Sequence, residues 1–124
     1  MKTQEDPTGV NLLDLKPSRT FEWETEDDEK VVVLVPKFRN RFLVTWFLPR
    51  LRSRYFRVKL DAFGSYVWLN CDGSKTVNEI GQNLKKRFGN SVEPVYDRLA
   101  LFVKRLERER FIRFTQNNKT MKVS

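Results

Sequence analysis

The chain has one thiol, Cys71, and no imidazole, which narrows its possible chemistry at once. Without histidine there is no His ligand for zinc, no histidine general base and no Ser-His-Asp triad. Cys71 lies between Leu69-Asn70 and Asp72-Gly73 and has no second cysteine to pair with. It reads as a small apolar residue buried at a helix end. The carboxylates Asp27-Asp28-Glu29 are contiguous and lack the spaced oxygen ligands of a calcium loop, so they read as a turn. Gly64, Gly73, Gly81 and Gly89 form no phosphate-cradling motif. No catalytic set, metal site or cofactor site is expected, and the chain reads as one that binds.

The cations offer a different chemistry. Residues 36–60 contain Lys37, Arg39, Arg41, Arg50, Arg52, Arg54, Arg57 and Lys59 and no acid. The sixteen remaining bases balance the sixteen acids, so the formal charge of +8 resides in this one segment. With Phe42, Trp46, Phe47 and Leu51 interleaved, the segment fits a solvated loop, a membrane-surface helix or a phosphate-binding patch. Arg98, Lys104, Arg105 and Arg108 would extend the last of these. Asp97, Glu107 and Glu109 interleave with them, as on a solvated helix face. The longest apolar stretch, 42–48, is far short of a spanning helix, and the N-terminus has no apolar h-region, so a cytoplasmic protein is expected.

These residues must be held by a fold that 124 residues can supply as one domain. Residues 1–16 read as a flexible arm, anchored at its end by Leu12, Leu13 and Leu15, and 17–114 as the domain. Residues 20–26 and the β-branched run 31–35 form a hairpin around the turn 27–30, ended by Pro36. The segment 37–54 is an insert, read as a short helix or structured loop. Residues 55–60 form a third strand, with Phe56, Val58 and Leu60 on one face and Arg57 and Lys59 on the other. Asp61 then caps a short helix containing Phe63, Val67 and Trp68, which ends at Asp72-Gly73. Thr76-Val77-Asn78-Glu79 is a capping box for a helix over 77–88 with Ile80, Leu84 and Phe88 as its stripe. Ser91 is expected to cap a last helix, with Pro94 in its first turn and Val95, Leu99, Phe102, Val103 and Leu106 on its apolar face. Residues 111–114 make a final short strand or wing, and 115–124 a polar tail. The fold class is α+β, winged-helix-like: an N-terminal three-stranded antiparallel sheet, three helices and a short final strand.

Val58-Lys59-Leu60-Asp61, Gly64, Val67-Trp68, Asp72-Gly73, Thr76-Val77 with Ile80, and Asp97 with Leu101-Phe102 and Leu106 occur in that order over residues 55–114. The set resembles the PqqD-like family (pyrroloquinoline quinone biosynthesis protein D-like), also called RiPP recognition elements. The resemblance implies a non-catalytic peptide chaperone. Such a module binds the leader of a ribosomally made precursor peptide by strand addition and presents it to a modifying enzyme, in that pathway a radical S-adenosylmethionine enzyme. Carried over, the peptide would lie along Tyr55, Phe56, Arg57, Val58, Lys59 and Leu60 and against Arg98, Leu101, Phe102 and Arg105 of the last helix. Arg57, Lys59, Arg98 and Arg105 would then attract acidic leader residues. The same edge strand would allow a homodimer. Two features depart from the family pattern: the long basic insert, and Glu109-Arg110 where a glycine often precedes the last strand. Two other function classes stand beside this one: a small winged-helix DNA-binding protein, and a peripheral membrane module using the basic aromatic segment.

Overall fold

Six strands and three helices stand among the described residues, which are 11–37, 55–116 and 119–121 of a computed structural model. In chain order they are β1 (Lys16–Arg19), β2 (Trp23–Thr25), β3 (Val31–Pro36), β4 (Tyr55–Lys59), α1 (Ala62–Asn70), α2 (Val77–Phe88), α3 (Val95–Arg108), β5 (Ile112–Gln116) and β6 (Lys119–Met121). The class is α+β, with the expected antiparallel sheet of three strands, in the order β2-β3-β4, preceding the three helices. A second antiparallel sheet, β1-β5-β6, joins the two ends of the chain. Backbone contacts divide the protein into two compact units, one of residues 21–62 and one of the segments on either side.

The unit of residues 21–62 is the β2-β3-β4 sheet. Trp23 pairs with Val33 and Val33 with Val58, while Glu24 pairs with Val32 and Val32 with Lys59. This register puts Val31, Val33, Val35, Phe56 and Val58 on one face and Val32, Leu34, Arg57 and Lys59 on the other. The four valines of β3 are all buried. Pro36 ends the central strand opposite Tyr55, where the ladder asks no N–H of it.

The second unit is closed by its helix ends. β1 was not anticipated: Lys16 closes the stretch read as an arm, and no strand was expected over residues 17–19. Its Arg19 N–H donates to Cys71 O at 3.0 Å, and its Pro17 carbonyl accepts from Gly73 N–H at 2.9 Å. Gly73 adopts φ +84°, which an L side chain takes only under strain. Arg19 Nη1 also donates to the carbonyls of Trp68 and Leu69, at 3.0 Å each, at the C-terminal end of α1, where Trp68 O also accepts from Cys71 N–H at 3.1 Å. The Asp72-Gly73 pair is thus a joint between helix and strand. Thr76 and Glu79 form the expected reciprocal capping box of α2. Gly81 lies so close to the ring of Tyr96 that a Cβ there would come within 2.4 Å of it.

Ser91 does not cap the last helix. It lies in a 3-10 turn, Gly89–Val92, and donates to Phe88 O at 2.8 Å. Pro94 disfavours helical backbone at Glu93, so α3 starts only at Val95, whose N–H is taken by the Glu93 carboxylate at 3.2 Å. At the other end Arg110 N–H donates to Glu107 O at 3.0 Å and Phe111 N–H to Leu106 O at 2.8 Å. This is a Schellman turn, with Arg110 at φ +66° in the position that glycine usually holds. The stretch expected as a polar tail supplies the end of β5 and β6. The core of this unit is Leu12, Leu15, Val67, Trp68, Ile80, Leu84, Leu99, Val103, Leu106 and Phe114, all buried.

Candidate functional site

Strand β4 lies at one end of its sheet, and among the described residues no strand pairs with its outer edge. In an antiparallel ladder, backbone groups point alternately toward and away from the neighbour. Leu60 N–H donates to Val31 O, and the Leu34 N–H, opposite Arg57, turns the other way to Glu22 O, each at 2.9 Å. Phe56 and Val58 therefore face β3 with their backbone groups, and Arg57 and Lys59 direct theirs outward. Phe56 is 57% exposed and carries Lys37 Nζ 5.4 Å from its ring centre. Tyr55 is also exposed, and Val58 and Leu60 are half-buried.

The two cations of β4 are held by acids of the same sheet. Arg57 bonds Glu24 at 2.6 Å and reaches Glu26 at 3.5 Å, while Lys59 bonds Glu26 and Asp28 at 2.9 Å each. Lys59 holds the Glu26 and Asp28 carboxyls below their usual range, and these acids in turn raise the Lys59 ammonium. The acids follow one another at alternate positions, 24, 26 and 28, with Glu22 before them. A period of two places them on one face once the hairpin has formed. That pattern was the available signal; composition alone presented Arg57 and Lys59 as uncompensated cations.

In the other unit, α3 presents Arg98, Leu101, Phe102 and Arg105 along one strip, three to four residues apart. Leu101 is 74% exposed, the largest exposure of any described large apolar residue. Phe102 is half-buried instead of lying in the core, and its ring meets Phe63 edge-on at 6.2 Å. Arg98 lies over that same Phe63 ring at 4.4 Å, so Phe63, read only as a helix residue, organises two of the four. Arg105 is tied to Glu109 at 2.9 Å. Burial pushes the neighbouring Glu107 carboxyl up. The residues expected at the site thus form two sets, 55–60 on β4 and its exit and four on α3, one in each unit.

Cys71 is buried, and burial pushes its thiol up to about 12. Among the described residues no group of three or more Cys, Asp or Glu side chains could hold a metal ion. No described helix is long and apolar enough to cross a membrane. Of the basic segment 37–54, all but Lys37 lies outside the described residues.

The family model described as coenzyme PQQ synthesis protein D matches residues 47–112, more than half of the chain. The chain belongs to the PqqD family. The matched span takes in β4, the three helices and the Schellman turn, so both sets of PqqD candidate residues fall inside it. The family is described by an accessory protein of coenzyme PQQ synthesis. Comparison with curated proteins and with solved structures gives no significant match.

Proposed function

We propose that this PqqD-family chain is a non-catalytic module that binds the leader part of a ribosomally made precursor peptide as an added strand on β4. It then presents the peptide to a separate modifying enzyme, a radical S-adenosylmethionine enzyme or another of the same role. The observation that carries the proposal is the position of β4 at the end of its sheet with the backbone groups of Arg57 and Lys59 directed outward. Such groups provide sequence-tolerant affinity, and side-chain contacts supply selectivity. The strip of Arg98, Leu101, Phe102 and Arg105 on α3 is proposed, within its own unit, as a further peptide-contacting surface. Membership of the PqqD family supports both assignments.

The test removes one outward donor. Arg57→Pro deletes an N–H that β3 does not use, and Arg57→Ala controls for the lost side chain. Anisotropy of a labelled leader peptide should show binding weakened about two- to ten-fold in the proline variant relative to the alanine variant. Equal affinities for the two variants would argue against strand addition on β4.

A further inference from the structure

Resting on the proposed strand addition, we infer that the ligand of the β4 edge is an alternating peptide: apolar at every second position, with non-acidic residues between. A strand added to β4 places its side chains alternately beside Phe56 and Val58 on one face and beside Arg57 and Lys59 on the other, about 5 Å from each across the pair. The first face is apolar, and Phe56 is 57% exposed there. The second face carries two cations and three acids, because Glu24, Glu26 and Asp28 all bond Arg57 or Lys59 at 2.6–3.5 Å. Its local charge is therefore negative by one. The guanidinium and ammonium groups reach back across Val32 and Leu34 toward β2, away from the edge where a ligand would lie. An acidic ligand residue at these positions would be a fourth acid competing for two cations. The general attraction of a +8 chain for acids acts on every position of a peptide alike, whereas the ladder acts on alternate ones. The acids of the hairpin thus act as an internal occupant of Arg57 and Lys59 and set the peptide class.

The experiment selects ten-residue peptides from a random displayed library on the full chain and on the variant Glu24→Gln/Glu26→Gln/Asp28→Asn, which keeps side-chain shape and removes the three charges. On the natural chain, acids should be depleted at every second position by roughly two- to five-fold relative to the input, the range of one cross-strand pair. On the variant they should become enriched at those same positions. Acids enriched at alternate positions on the natural chain and unchanged on the variant would overturn the inference while leaving strand addition standing. Selected peptides that fail to shift the backbone amides of residues 56–59 in an NMR spectrum would overturn strand addition and the inference with it.

Discussion

Arg110 offers a direct check on the geometry that ends α3. It holds φ +66° in a Schellman turn, and its carbonyl accepts from the Thr20 hydroxyl. A side chain in the left-handed region costs about 1–2 kcal/mol relative to glycine. Glycine gives back about 0.4–1 kcal/mol through the greater freedom of the unfolded chain. Both hydrogen bonds of Arg110 use backbone atoms and the side chain is exposed, so substitution removes little else. Arg110→Gly should therefore stabilise the protein by about 0.5–1 kcal/mol, raising the thermal midpoint by about 2–4 °C. Urea denaturation followed by circular dichroism measures the difference, with Arg110→Ala as the control that keeps a Cβ and should gain nothing. A glycine variant no more stable than the natural chain, or an alanine variant that gains as much, would refute the assignment of strain to this residue.

Two further outcomes follow from the joint at residues 71–75. Asp72 accepts from the Ser74 hydroxyl at 2.6 Å and the Ser74 N–H at 2.9 Å, and with Lys75 at 3.2 Å these bonds lower its carboxyl from 3.8 to about 2. The depressed value contributes stability that is present above pH 3.8 and lost as the pH falls toward 2. The full shift corresponds to about 2.4 kcal/mol, which solvent screening of a side chain 37% exposed reduces to about 1 kcal/mol. The stability gap between the natural chain and Asp72→Asn should narrow by about that amount between pH 6 and pH 2.5, and a constant gap would contradict the assignment. Cys71, buried with its thiol raised to about 12, should react with a thiol reagent at pH 8 only as fast as the protein opens. Rapid labelling of the folded chain would show the thiol to be accessible.

What could be read from the sequence was what short-range chemistry decides. The Thr76–Glu79 capping box and the glycine stop at 89 involve partners within a few residues, the β-branched run 31–35 declares itself by composition, and each stands where it was expected. Ser91 misled because serine is a good cap in isolation, while Pro94 three residues later controls where helical backbone can begin. β1 was missed because Lys-Pro-Ser-Arg has no apolar alternation; its partner, β5, lies more than ninety residues away. At the candidate site, the strand 55–60 was legible from its alternation, whereas the strip on α3 became a candidate only through the family resemblance, since helical spacing alone put Phe102 on the core face. The pairing of Arg57 and Lys59 was not, since their acids lie 31 to 33 residues upstream and meet them only across the three-stranded sheet. Arg110 adds a second lesson: a residue departing from a family's glycine can keep the glycine's backbone conformation.

The central claim is strand addition to β4, and a backbone NMR titration of the isotope-labelled chain with precursor peptides encoded beside its gene tests it most directly. The account predicts saturable shifts concentrated on the amides of residues 55–60, with a second set on α3 around Arg98, Leu101 and Arg105. Still amides on β4, combined with responses only to DNA or to anionic vesicles, would contradict it.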